Sequence, residues 1–143
     1  TAVAEHAESD EAVLARVAGY AEAGAAAVSV LTEPSRFDGT LEHLRIAARA
    51  LAGKIPAMRK DFLVDTYQVD EARVAGAGGV LLIVRMLDDA ALAALLERTL
   101  ELRMFALLEA FDEADIARLH GCVERYGRDG QLLVGLNCRD LAR

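Results

Sequence analysis

The stretch IPAMRKDF, residues 55–62, begins like a buried strand and then closes on three charged residues in a row. Comparable apolar runs recur along the chain, and most of them also end on a polar side chain. These strand-end side chains belong to Glu5, Glu33, Lys60, Glu109 and Asn137. Runs that are apolar throughout, without alternation, are typical of parallel strands covered on both faces. The stretch therefore predicts a buried parallel strand with functional groups at its carboxyl end.

Apolar runs alternate with amphipathic segments along the whole chain. The runs predict strands at residues 2–5, 26–31, 56–60, 80–84, 105–109 and 132–136. Segments with a period near 3.6 predict helices at residues 10–24, 40–53, 66–78, 88–103 and 112–127. Asp10, Asp65, Asp88 and Asp112 stand where N-caps are expected, and Gln68 follows Asp65 at capping-box spacing. This β(αβ)₅ order predicts an α/β fold.

The strand ends distinguish between the two architectures that use this order. In a doubly wound nucleotide-binding sheet the first strand leads into a glycine-rich loop, and TAVAEHAES, residues 1–9, contains no glycine. Functional groups at the carboxyl ends of many strands are instead how a (β/α)₈ TIM barrel builds its active site. We therefore expect residues 1–143 to form strands 1–6 and five helices of such a barrel.

Composition limits the class of protein. The chain has 143 residues, of which 54% are hydrophobic, and a net charge of −7, so it fits one globular domain without a basic stripe for nucleic acid or an anionic membrane. No apolar run is long enough to span a bilayer and no signal-peptide pattern begins the chain, which predicts a cytoplasmic protein. Cys122 and Cys138 lack the spacing of a zinc site or a disulfide framework, and we interpret both as small buried residues.

Lys60 is the strongest candidate in the opening stretch. Adjacent strand residues point to opposite faces, so Arg59 and Lys60 cannot both face the centre of a barrel. Only two of the sixteen basic residues are lysines, Lys54 and Lys60. A lysine can donate a proton or form a Schiff base near neutral pH, whereas arginine stays charged. A lysine at this position therefore indicates proton chemistry.

Four segments carry a family resemblance. They are residues 23–44, residues 56–84, ALLEAFDEAD at 106–115 and VGLNCRDL at 134–141. In this order they resemble successive blocks of indole-3-glycerol phosphate synthase, a barrel enzyme of tryptophan biosynthesis. The resemblance implies a lyase that needs no cofactor and no metal. It implies a small sugar-phosphate substrate, 1-(2-carboxyphenylamino)-1-deoxyribulose 5-phosphate, which closes to indole-3-glycerol phosphate with loss of CO₂ and water.

The resemblance also implies catalytic roles, position by position. Lys60 matches the general acid of the family and Glu109 matches the general base. Glu5 matches the glutamate of the first strand, and Asn137 matches a polar contact to the reacting region. These types suit the chemistry, because ring closure requires a proton donor at the departing oxygen and rearomatisation requires a proton acceptor. Glu5 and Asn137 would orient and stabilise the cation that develops between these steps.

Four further positions match the substrate contacts of the family. Arg139 matches the contact to the substrate carboxylate, whereas Phe37, Phe62 and Leu81 match the apolar pocket. We leave Glu33 outside the site, because a rim carboxylate paired with Arg59 or Arg139 explains it better. The sequence leaves the oligomeric state open.

Three departures from the family pattern stand out. Phe111 replaces the usual polar residue two positions after the base, so part of the support of Glu109 is in question. The loop that carries a second catalytic lysine is missing after Glu5, and we expect it to belong between His6 and Ala7. Strands 7 and 8, whose loops bind the substrate phosphate, also have no counterpart in residues 1–143.

Two other functions stay open at this point. A different sugar-phosphate barrel enzyme could use Lys60 as a Schiff-base amine, and borohydride would then trap the substrate on it. A non-catalytic half-barrel could serve as a binding or assembly module, and it would have to bury its open sheet edges in a stable oligomer.

Overall fold

The computed structural model describes residues 9–139. The strand predicted at residues 2–5, the candidate Glu5 and the His6–Ala7 junction lie outside the described residues. Residues 9–139 form six α-helices, five β-strands and two short 3₁₀ turns. The helices are Asp10–Glu22 (α1), Pro34–Phe37 (α2), Leu41–Leu51 (α3), Thr66–Val74 (α4), Asp89–Glu101 (α5) and Glu113–Tyr126 (α6). The strands are Val28–Leu31 (β1), Ala57–Lys60 (β2), Gly79–Ile83 (β3), Phe105–Ala110 (β4) and Leu132–Leu136 (β5).

The chain divides into two compact units. Among residues 9–139, one unit contains the residues up to Asp61 together with Glu71–Gly79, and the other contains Phe62–Asp70 together with the residues from Val80 onward. The predicted strands at residues 26–31, 56–60, 80–84, 105–109 and 132–136 are confirmed, with bounds that shift by at most two residues. The α/β class predicted from the alternating pattern is confirmed as well.

The first unit is built on a parallel pair of strands. β1 and β2 pair in a register that places Val28 opposite Ala57 and Leu31 opposite Lys60. Helix α3 packs on both strands, and α1 packs on α3 and β1. The buried side chains on these elements are almost all apolar, because each helix turns one face toward the strands. They include Val13, Val17, Val28, Val30, Leu44, Ala47, Leu51, Ala57 and Met58.

The second unit contains three strands that lie in the order β3, β4, β5. β4 and β5 are parallel, with Glu109 opposite Gly135 and Ala110 opposite Leu136. Helices α5 and α6 both pack on β4, and α6 also contacts the 3₁₀ turn Val84–Met86 that follows β3. The core of this unit consists of buried side chains, which include Leu82, Leu92, Leu95, Leu96, Met104, Leu108 and Leu119.

Arg118 of α6 fastens the turn after β3 in the second unit. Its guanidinium donates to the backbone carbonyl oxygens of Val84 at 2.8 Å and of Leu87 at 2.6 Å, and to the Asp89 carboxylate at 2.9 Å. Val84 belongs to the short 3₁₀ turn and Leu87 is its C-cap, and Leu87 N also donates to the Val84 carbonyl at 3.2 Å. Arg118 therefore adds a second donor at the Val84 carbonyl and a side-chain donor at the Leu87 carbonyl.

Helix starts follow the predicted caps with one correction. Asp88 and Asp112 accept hydrogen bonds from Ala91 N and Asp115 N, as N-caps do. Half of the capping box forms, because the Gln68 side chain accepts from Asp65 N at 3.1 Å, while the Asp65 carboxylate accepts from Tyr67 N at 2.8 Å. The prediction of Asp10 as a cap was wrong. The Ser9 side chain accepts from Ala12 N. Asp10 lies in the first turn, where its negative charge interacts favourably with the helix dipole.

Helix α2 was not predicted, since four residues are too few to show a helical period. No helix among residues 9–139 is both long and apolar enough to cross a lipid bilayer.

Candidate active site

Lys60 is the last residue of β2 in the first unit, at the carboxyl end of a parallel strand. Its side chain is exposed, whereas the three residues before it in β2 are buried. Its backbone carbonyl accepts a hydrogen bond from Thr32 N at 3.1 Å, so the peptide at Lys60 is held by the end of the neighbouring strand. Lys60 therefore stands as an accessible ammonium on a fixed backbone.

Arg59 occupies the opposite face and is only 5% exposed. Its Nε donates to the Thr32 hydroxyl at 3.0 Å, its Nη2 to Asp61 at 3.1 Å, and its Nη1 to Glu71 of α4 at 3.3 Å. The Thr32 hydroxyl in turn donates to the same Asp61 oxygen at 2.7 Å. We call Thr32, Arg59, Asp61 and Glu71 the strand-end cluster. It agrees with the prediction that Arg59 and Lys60 face opposite ways.

Glu109 and Asn137 meet at the carboxyl ends of β4 and β5 in the second unit. The Asn137 amide donates to the Glu109 carboxylate at 3.2 Å, and Asn137 N donates to the Ala110 carbonyl at 2.9 Å. Gly135 lies opposite Glu109 in the strand register, so no β5 side chain separates Asn137 from the carboxylate. Both side chains are half-buried. The amide therefore fixes one carboxylate oxygen in place.

Arg139 and Cys138 follow Asn137 directly, and both are exposed. Arg139 N donates to the Asn137 side-chain oxygen at 2.8 Å, which orients the amide that holds Glu109. The interpretation of Cys138 as a buried residue was wrong, because β5 ends at Leu136 and the thiol lies in the loop that follows. Cys122 is half-buried in α6, and its burial raises the pKa of the thiol.

Phe111 supports the loop after Glu109 without a polar side chain. Its ring lies under the Arg85 guanidinium, 4.3 Å from the ring centroid. Arg85 also pairs with Asp112 at 2.8 Å and with Asp115 at 3.2 Å, while Phe111 N donates to Asp115 at 2.9 Å. Sequence reasoning missed Arg85, whose partners lie 27 and 30 residues further along the chain.

The three apolar candidates occupy different environments. Phe37 ends α2 in the first unit with 49% of its surface exposed, and it lines a groove of about 610 Å³ that also contains Tyr20 and Leu31. In the second unit Leu81 is buried within β3 and Phe62 is half-buried.

Glu33 has a structural role, consistent with its being left out of the site. Its carboxylate caps α2 by accepting from Ser35 N at 2.9 Å and Arg36 N at 2.7 Å, and it also accepts from the Ser35 hydroxyl. The hydroxyl bond, followed by the two backbone bonds, outweighs burial and lowers the pKa of Glu33.

No group of three or more His, Cys, Asp or Glu side chains among residues 9–139 is arranged to hold a metal ion.

Comparison with known proteins places the chain in one family. The model of the family "Indole-3-glycerol phosphate synthase" matches residues 4–143. A relative with that name from Nocardioides sp. strain JS614 is 51% identical over 132 residues, which are 92% of this chain and 46% of the relative. Relatives of the same name from Parafrankia sp. strain EAN1pec and Mycobacterium avium strain 104 are 48% and 44% identical over 92% and 93% of this chain, each with 45% of the relative covered. The chain thus spans about half the length of these relatives. Its family match is nearly end to end, and the chain belongs to the indole-3-glycerol phosphate synthase family.

Proposed function

We propose that the protein containing this chain converts 1-(2-carboxyphenylamino)-1-deoxyribulose 5-phosphate to indole-3-glycerol phosphate, with loss of CO₂ and water. The observation that carries the proposal is the position of Lys60, Glu109 and Asn137 at carboxyl ends of parallel strands, in a chain of this family. The family is a (β/α)₈ barrel, and barrel enzymes build their active sites at that end of their strands.

Lys60 acts as the general acid in this proposal. A carbon of the aromatic ring attacks the ketone carbon, and the ketone oxygen takes up a proton to become a hydroxyl group. The bond to the carboxylate then breaks, CO₂ leaves and the benzene ring is restored. The hydroxyl group departs as water after a second protonation. An exposed ammonium on a fixed strand end is suited to deliver such protons.

Glu109 acts as the general base. Loss of the hydroxyl group leaves a cationic ring, and removal of one proton from the adjacent carbon completes the indole. The carboxylate takes that proton, and the hydrogen bond from Asn137 holds its other oxygen in position. Glu5 is proposed, from the family resemblance, to stabilise the cation together with Asn137.

Substrate binding uses the remaining candidates. The exposed Arg139 pairs with the substrate carboxylate until CO₂ leaves, as a guanidinium can in a bidentate geometry. Phe37, Phe62 and Leu81 contact the aromatic ring. This reaction uses no covalent bond between enzyme and substrate, so borohydride leaves the protein unmodified.

The test is turnover by the full-length protein and its Lys60 variants. Lys60→Ala should lower kcat about 100- to 10,000-fold, because a positioned proton donor contributes that much. Lys60→Arg should recover little, since a guanidinium retains its proton at neutral pH. Formation of the indole product is followed by fluorescence.

Lys54→Ala is the matched control, since Lys54 is the other lysine of the chain and lies outside the strands. Lack of product with the unmodified protein would overturn the proposed reaction. Full activity of Lys60→Ala would remove Lys60 from it.

A further inference from the structure

The RKD triplet at the end of β2 divides its side chains between two faces. Arg59 and Asp61 point to the same side, where they bond to each other at 3.1 Å. Lys60 lies between them in the chain and is exposed, whereas Arg59 is buried. The residues before and after Lys60 are thus both fixed by side-chain contacts on the face opposite its own.

Thr32 joins this arrangement from the neighbouring strand. Its backbone N–H donates to the Lys60 carbonyl, while its hydroxyl accepts from Arg59 and donates to Asp61. One residue therefore contacts all three members of the triplet. Thr32 is itself 4% exposed, so water does not compete for these bonds.

The charges of the strand-end cluster make it rigid. Arg59 places three donor nitrogens on three acceptor oxygens, those of Thr32, Asp61 and Glu71. Such a planar fork has one orientation in which all three bonds form. A buried guanidinium also requires its carboxylates, because leaving it unpaired is costly. The cluster therefore fixes the end of β2 relative to Thr32 and Glu71 of the same unit.

We propose that the strand-end cluster positions Lys60 for proton transfer, with Thr32 and Arg59 as positioning residues. This inference rests on the proposed role of Lys60 as the general acid. It adds that the position of the Lys60 side chain is fixed by side chains on the other face of the strand. A small displacement of a catalytic group can cost about 100-fold in rate.

The decisive variant is Thr32→Val, which keeps the shape of the side chain and removes its hydroxyl. The Arg59–Asp61 pair remains, so the protein should still fold. We expect kcat to fall about 10- to 100-fold with KM changed less than about twofold, because the acid is displaced and binding is not. Thr32→Ser should restore the rate. Arg98→Met, which breaks a surface-exposed cluster with Asp70 and Glu101, should leave the rate unchanged.

Combination with Lys60→Ala separates positioning from general stability. If Thr32 acts through Lys60, Thr32→Val should have no further effect in an enzyme that already lacks the lysine. The inference would be overturned if Thr32→Val lowered kcat equally with and without Lys60→Ala. It would also be overturned if Lys60→Ala abolished activity while Thr32→Val alone left kcat unchanged.

A spectroscopic readout tests the inference even if the proposed reaction fails. Reductive ¹³C-methylation labels the lysines, and the Lys60 signal is the one missing from Lys60→Arg. Thr32→Val should shift and broaden the Lys60 signal and leave the Lys54 signal in place. Two unchanged signals would overturn the positioning role, whereas absence of product from the unmodified protein would overturn only the reaction.

Discussion

Asn137 shows at the scale of one residue how a strand end can hold a carboxylate in position. Its amide bridges Glu109 and the backbone of Arg139. We expect Asn137→Ala in the full-length protein to lower kcat about 10- to 100-fold, because a hydrogen bond to a charged group contributes that much. Steady-state kinetics measure the loss.

Cys138→Ser is the control for Asn137→Ala, since Cys138 is the exposed neighbour. It should retain the rate of the unmodified protein. An Asn137→Ala enzyme as fast as the Cys138→Ser enzyme would show that the bond to Glu109 is not used in the reaction.

The same scale shows what the sequence can predict about the candidate site. Alternation along β2 predicts that Arg59 and Lys60 face opposite sides, and the polar strand ends predict the positions of Glu109 and Asn137. The partner of Arg59 on α4 could not be predicted, because Glu71 is twelve residues away and no local pattern joins them. Arg85 was missed for the same reason.

At the scale of secondary-structure elements, Gly39 lies in close contact with the backbone at the end of β1. A Cβ at this position would lie 2.4 Å from the Leu31 carbonyl oxygen and 2.8 Å from Thr32 N, so the backbone would have to move. We expect Gly39→Ala to lower the free energy of unfolding by about 1–3 kcal/mol, as overpacking does. Urea denaturation measures the change.

Gly121→Ala is the matched control for Gly39→Ala. Gly121 lies within α6, and a Cβ there would meet no atom within 4 Å. It should raise the free energy of unfolding by about 0.5–1 kcal/mol, since alanine favours helix. A Gly39→Ala protein as stable as Gly121→Ala would contradict the close contact.

The Glu33 carboxylate, which caps α2, should make the stability of the protein depend on pH. Its pKa is lowered in the folded protein, so the charged carboxylate favours folding above its ordinary pKa, and this contribution is lost as the pH falls toward the folded value. The stability difference between the unmodified protein and Glu33→Gln should therefore be largest near neutral pH and shrink in acid. Ser35→Ala should show an intermediate pH dependence, because it removes the largest cause of the shift. Denaturation midpoints measured from pH 7 to pH 3 decide, and a constant difference would contradict the prediction.

Elements were predicted better than their ends. Long periodic segments identified five helices, whereas α2 was too short to have a period. Ser9 and Asp10 both suit an N-cap by composition, and only the backbone geometry decides that Ser9 holds the position. Local propensity therefore gives the presence of an element more reliably than its first residue.

At the scale of the whole molecule, the 143 residues can be compared with a full-length relative for activity. The chain spans 46% of the Nocardioides relative, and residues 9–139 supply five strands. Phosphate sites of barrel enzymes lie in the loops after strands 7 and 8. We expect the isolated chain to be at least about 100-fold slower than a full-length relative, because its substrate would be poorly held.

The comparison requires the isolated chain to be folded, which circular dichroism establishes before the assay. A rate within tenfold of the full-length relative would show that residues 1–143 suffice for the reaction.

Arg118 also has a consequence for the order in which this protein is made. The carbonyl of Val84 leaves the ribosome 34 residues before the guanidinium that holds it. At 5–20 residues per second, that interval lasts about 2–7 s. The turn after β3 therefore lacks these bonds until α6 has emerged. We expect protease to cut the turn readily in ribosome-bound chains that expose residues 84–87 while Arg118 is still inside the exit tunnel. Chains long enough to expose Arg118 as well should resist the same cut.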